Sequence, residues 1–198
     1  MPILTSLDDV RRTLAEATTI AVLGAHHDRP RPAFYVPDYL HAMGYRVLPV
    51  NPTLAGTTLF GETVVASLAD LPVDVDIDLV DIFRPASALP GHLPELLALG
   101  ARAASLQEAS GAGQRRHAVR EDARGETDAT APDAQRTRKL PTVWFQLGIV
   151  HGEVAATLAA AGFDVIQDRC TYADHRLFQL PRISPISRPI LDPRDRRP

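Results

Sequence analysis

The chain of 198 residues is about one domain's length, and at 45% hydrophobic and 23% charged it can bury one sizeable core. Twenty-one Lys and Arg against 24 Asp and Glu leave a net charge of −3, without the basic excess of a dedicated nucleic-acid binder. One cysteine excludes an internal disulfide, no apolar run approaches the roughly 20 residues that span a bilayer, and the first residues show no basic-then-apolar signal pattern. The expectation is a cytoplasmic protein with neither nucleic-acid nor membrane partners.

Ser6, with Asp8 and Asp9 after it, opens a helix over 7–17. The Ser6 hydroxyl takes a free backbone N–H, the acids sit at the positive end of the dipole, and Leu7, Val10 and Leu14 form an apolar stripe. Residues 19–24 are a short apolar run closed by Gly24, the pattern of a strand covered on both faces. A helix over 33–43 follows, with Gly44 as its left-handed cap; Pro37 is least disruptive in a first turn, which predicts a regular start near Tyr35 or Val36. Residues 45–50 form the second strand and 77–83 the third. A helix blurred by prolines, continuous over 93–99, leads to a fourth strand at 101–106. An apolar and aromatic stretch at 142–147, a helix over 152–161 and a final strand at 163–167 complete the series. This alternation predicts an α/β fold with a doubly wound, mostly parallel sheet.

Two stretches break the alternation. Residues 107–139 hold Val119 as their only large aliphatic, with seven basic and six acidic residues interspersed. Such a segment buries too little apolar surface to offset its ordering entropy, so a flexible insertion spanning 107–141 is expected, the alternative being an amphipathic helix near 114–124. The rest of 1–178 then makes a single domain. Residues 179–198 form a Pro- and Arg-rich tail, expected to be extended over the body or a second subunit.

Ligands of such sheets bind beyond the carboxyl ends of the strands, here 24–32, 51–56, 83–87, 146–150 and 168–171. The loop 24–32 precedes a helix N-terminus and carries Arg29 and Arg31, which suits a phosphate site and equally a plain strand-to-helix turn. It is not the dinucleotide fingerprint. His26 occupies the place of the second glycine, and the second strand ends in Asn51-Pro52 rather than an acid, which disfavours a nicotinamide cofactor. The adjacent His26 and His27 side chains diverge and have no third ligand at a metal spacing. Cys170 near His175 admits a thiolate nucleophile, although a lone cysteine is more often a small core residue. Asp76 and Asp78 share one strand face and Asp81 takes the other, so the three do not form a dyad.

Seven stretches in order carry a resemblance: Val22-Leu23-Gly24-Ala25-His26; Arg31-Pro32-Ala33 with Tyr35-Val36-Pro37; Gly44 through Pro52; Leu59-Phe60-Gly61-Glu62; Val80-Asp81-Ile82-Phe83-Arg84-Pro85; Gln146-Leu147-Gly148-Ile149; and Asp168-Arg169-Cys170. Over most of residues 5–178 the chain resembles the small stand-alone coenzyme A-binding proteins, related to the Rossmann-type CoA-binding domain of the succinyl-CoA synthetase α subunit. The resemblance implies a Rossmann-like fold holding CoA or acyl-CoA at the strand ends. Gly24, Ala25, His26 and Arg31 would contact the phosphates, next to Pro32 and Tyr35. Asn51 and Pro52 would border the nucleotide, and Phe83 and Arg84 would line its adenine or phosphate side. Gln146, Leu147, Gly148 and Ile149 would face the pantetheine arm, with Asp168, Arg169 and Cys170 completing the rim. Thr53, which is uncharged, stands where many relatives carry a base.

The phosphohistidine domain and the nucleotide-grasp partner of the synthetase are missing from this chain, so the expectation is binding without succinyl-CoA chemistry. Two other readings stand beside it: an enzyme acting on a CoA thioester through Cys170 or a histidine, and a redox sensor that binds NAD. Free CoA, acyl-CoA and CoA disulfide all fit the resemblance, and a homo-oligomer is compatible with the sequence.

Overall fold

The computed structural model of the protein describes residues 3–117 and 140–183. Helix α1 (Leu7–Glu16) starts where Ser6 Oγ accepts the Asp9 N–H at 3.1 Å, and buries Val10 and Leu14. Strand β1 (Thr19–Leu23) is buried at every position, and so is each residue of β5 (Leu79–Ile82) and β6 (Thr142–Phe145). Buried on both faces, these strands need continuous apolar runs rather than alternation. With β2 (Arg46–Val50) and β7 (Val165–Ile166) they form a five-stranded parallel sheet in the order β2-β1-β5-β6-β7.

Helices cover both faces. Leu89, Leu96 and Leu99 of α3 (Leu89–His117) and Val154 and Leu158 of α4 (Gly152–Ala160) pack on one side, against Val80, Ile82 and Phe145. Val10 and Leu14 of α1 and Val36 and Leu40 of α2 (Pro32–Ala42) pack on the other, against Val22, Leu79 and Trp144, and α5 (Thr171–Leu177) closes that layer. The doubly wound α/β fold read from the sequence is therefore the fold observed.

Four local expectations change. The stretch 101–106 is not a strand but a continuation of α3, because Gly100 lets the helix ride directly over Phe163: a Cβ at 100 would lie 2.3 Å from that ring. The helix runs on through His117, into the segment expected to be an insertion; 118–139 lies outside the described residues, while Leu140 packs at the edge of the core. A small antiparallel hairpin, β3 (Thr58–Leu59) with β4 (Glu62–Thr63), and the helix α5 had no periodic signal in their short sequences. Finally, α2 begins at Pro32, so Pro37 lies inside it rather than in its first turn.

That last displacement has a physical reason. Without an N–H, Pro37 leaves the Ala33 carbonyl free of its helical donor. The carbonyl instead accepts the His26 N–H at 3.0 Å, which ties the β1–α2 loop to the helix. Gly44 takes the left-handed conformation expected of a cap (φ +98°), and Ile183 N–H bonds Met43 O at 2.8 Å, bringing the start of the tail onto the end of α2. Residues 184–198 lie outside the described set.

Candidate functional site

The five parallel strands end at one rim, and the loops leaving them converge there. After β1, Gly24 turns the chain at φ +95° with its N–H on Val50 O at 2.9 Å. There is little room for a side chain at 24: a Cβ would sit 3.2 Å from both Phe83 O and Arg84 Cδ. Arg84 thus lies against the turn, and its buried Nε finds no partner among the described residues. Ala25 is buried. His26 Nδ1 accepts the Asp28 N–H at 2.9 Å, its ring stacks on that of His27 rather than diverging from it as expected, and desolvation, then Arg31 and His27, lower its pKa below 6.5. Arg31, at the N-cap of α2, is exposed and reaches Asp28 at 3.3 Å.

Asn51, expected at the nucleotide's border, is spent on the protein itself. Its buried carboxamide donates to Ala25 O at 2.7 Å and accepts from the Thr53 N–H at 3.0 Å and hydroxyl at 2.9 Å. It splices the β1 and β2 loops together, while Pro52 beside it is exposed.

The remaining loops build a floor and a wall. Gly148 N–H bonds an Asp168 carboxylate oxygen at 2.7 Å, joining the loops after β6 and β7, with Asp168 itself at φ +57°. Arg169 pairs with Asp174 through Nε at 2.8 Å, and its carbonyl accepts the Trp144 indole N–H at 2.7 Å. Asp168 and Arg169 therefore brace the rim, Asp168 while itself exposed. Cys170 caps α5, half-buried, and burial pushes its thiol up, the opposite of what an activated thiolate needs.

One open cleft of about 370 Å³ gathers eight of the sequence-predicted residues: Arg31, Pro32 and Tyr35 from the first loop and α2, Phe83 after β5, Gln146, Leu147 and Ile149 after β6, and Cys170. Ala33 joins them; it stood in the resembling stretch but not among the expected contacts. Gly24, Ala25, His26, Asn51, Pro52, Arg84, Gly148, Asp168 and Arg169 do not line it. Leu147 is 70% exposed and Tyr35 44%, so the mouth presents apolar surface to solvent. Beneath the floor lies a residue that sequence reasoning set aside, Asp81, fully buried and bonded to Gln146 and Thr171. The available signal was an acid in an otherwise apolar buried strand, which has to find partners. Among the described residues no group of three or more His, Cys, Asp and Glu is placed to hold a metal.

A family profile described as "CoA binding domain" matches residues 18–130 and 123–176. The chain belongs to that family. Membership supports a CoA-binding role and accounts for the resemblance carried by the strand-end stretches. The chain is also similar to the uncharacterized protein YneT of Bacillus subtilis (strain 168), 29% identical over 168 residues that span 84% of this chain and 92% of YneT. Among solved structures, cell-free ID.343 from Thermus thermophilus is 41% identical with a TM-score of 0.65, over 88% of this chain and 99% of that one. A hypothetical protein from Pyrococcus horikoshii OT3, 22% identical with a TM-score of 0.62 over 88% and 93% of the two chains, shares the fold. No helix among the described residues is long and apolar enough to cross a membrane.

Proposed function

We propose that this member of the family binds coenzyme A, free or acylated, in the cleft at the strand ends, and that it does so without chemistry of its own. The observation that carries this reading is a cleft with cationic and apolar parts side by side. Arg31 stands at its α2 end, where Pro32 has no N–H and the Phe34 and Tyr35 amides are engaged by Arg31 O, which leaves the Ala33 amide as the first-turn donor for a ligand. Arg84, whose buried Nε finds no partner among the described residues, lies against the Gly24 turn after β1. Phosphates suit that end, since guanidinium groups and helix-start amides favour anions. Tyr35, Leu147 and Ile149 offer the apolar groove that a pantetheine arm fills. The raised Cys170 thiol weighs against the thioester-enzyme reading. His26 at the second-glycine position weighs against NAD.

Titration calorimetry with CoA and dephospho-CoA tests the reading; no heat from either near millimolar ligand refutes it. Arg31→Ala and Arg84→Ala are each expected to weaken CoA by about 1.5–3 kcal/mol, the scale of hydrogen bonds to charged groups. Unchanged affinity in both variants would move the phosphates elsewhere.

A further inference from the structure

Below the cleft is a closed hydrogen-bond set that the proposed function leaves unused. Gln146 Nε2 lies 2.8 and 2.9 Å from the two carboxylate oxygens of Asp81 and 2.8 Å from Thr171 Oγ1, which is itself 2.9 Å from Asp81 Oδ2. A carboxylate only accepts, so Thr171 gives its one proton to Asp81 and must accept from Gln146. Both N–H groups of the Gln146 carboxamide are thereby consumed. Its carbonyl oxygen is the polar atom that remains, on a side chain that lines the floor of the cleft. The orientation of this amide is therefore set by the network beneath it.

We infer that Asp81 and Thr171 are positioning residues that fix the hydrogen-bonding sense of the cleft floor, holding the Gln146 carbonyl toward the ligand so that it selects a donor, the amide N–H of a pantetheine-like arm. This inference rests on the CoA reading of the cleft. With Asp81 protonated the set reverses. The carboxyl donates, the Gln146 amide turns over so that its oxygen accepts that proton, and its NH₂ group faces the cleft, where it opposes a ligand N–H.

The surroundings allow the change to occur near neutrality. Asp81 has Val22 and Trp144 beside it on the neighbouring strands. On the α5 side the Cys170 thiol feels its charge, while α5 also carries Asp174, already paired with Arg169, and His175, whose Nδ1 is 3.0 Å from the Tyr39 hydroxyl. No cation reaches the carboxyl among these. Burial pushes it up to about 7, against the opposing pull of the Gln146 and Thr171 hydrogen bonds.

Two measurements on the whole chain test the inference. In the ligand-free protein, the Gln146 side-chain amide resonances and the Asp81 carboxyl carbon are followed by NMR from about pH 5 to 9. A shared midpoint in the wild type, absent from the Gln146 signals of Asp81→Asn, is expected; Gln146 signals that ignore the Asp81 titration overturn the positioning role. Calorimetry then compares CoA with adenosine 3′,5′-bisphosphate, which lacks the arm, across the same range. For CoA, the wild-type advantage over Asp81→Asn is expected to shrink by about tenfold between pH 8 and pH 6, the scale of one hydrogen bond. Thr171→Val loses a similar factor and Thr171→Ser restores it, while the bisphosphate distinguishes none of these proteins. Parallel pH profiles, or equal losses for the bisphosphate, overturn the inference. If the wild type binds neither ligand, the CoA reading is what fails, and the NMR titration alone decides the orientation of Gln146.

Discussion

Replacing Asn51 separates a residue that holds the rim from one that touches the ligand. Its carboxamide donates to Ala25 O, on a residue with no solvent exposure, and accepts from the backbone and hydroxyl of Thr53. In Asn51→Ala the Ala25 carbonyl is left buried without that donor, at a cost of about 1–3 kcal/mol. Thr53 is exposed, so water replaces its two bonds at little cost. The expected destabilisation is about 2 kcal/mol. Asn51→Asp keeps the acceptor for Thr53 but points a carboxylate oxygen at the Ala25 carbonyl, so above neutral pH it should be no more stable than the alanine variant. Urea unfolding followed through Trp144, the chain's single tryptophan, provides the assay. With an m-value of about 2 kcal/mol/M the midpoint falls by about 1 M. An unchanged midpoint together with a large loss of CoA affinity would refute the account, because it would hand the Asn51 amide to a ligand.

The tie between loop and helix makes a second prediction. Pro37→Ala supplies an N–H that competes with His26 for the Ala33 carbonyl; the His26 amide should lose hydrogen-exchange protection and CoA affinity should drop several-fold, while global stability changes by about 1 kcal/mol or less. Undiminished protection at His26 would count against it. A third concerns pH and stability. Asp81 titrates near 7 in the fold and near 3.8 when unfolded, so between those values the native state holds the extra proton and stability falls as pH rises, by about 4 kcal/mol in all. The stability difference between wild type and Asp81→Asn, read from urea midpoints, should therefore move in favour of the variant from pH 4 to pH 8; a difference constant with pH would contradict a carboxyl that titrates in this range.

The order of elements and the rim where they end were legible because their causes are local. The apolar run at 19–23, the Ser6 cap and the Gly44 turn each depend on a few adjacent residues, and a parallel doubly wound sheet follows once such runs alternate with helices. Eight of the residues expected at the site do meet in one cleft: five follow strand ends that parallel strands bring together, and Arg31, Pro32 and Tyr35 start the helix to which the loop after β1 leads.

What the linear pattern left open are the partnerships between distant segments. The stretch after Gly100 reads as a strand until Phe163 is seen lying against that glycine, and Pro37 reads as a helix start until His26 takes the carbonyl it frees. Asn51, Asp168 and Arg169 have the chemistry of ligand contacts, yet each is engaged by the protein itself, through Ala25, Gly148 and Asp174, Asp168 while remaining exposed. Asp81 meets Gln146 and Thr171 from 65 and 90 residues away. Periodicity reports which face of an element is buried; only packing in three dimensions decides which buried polar group answers which, and so which atoms are left over for a ligand.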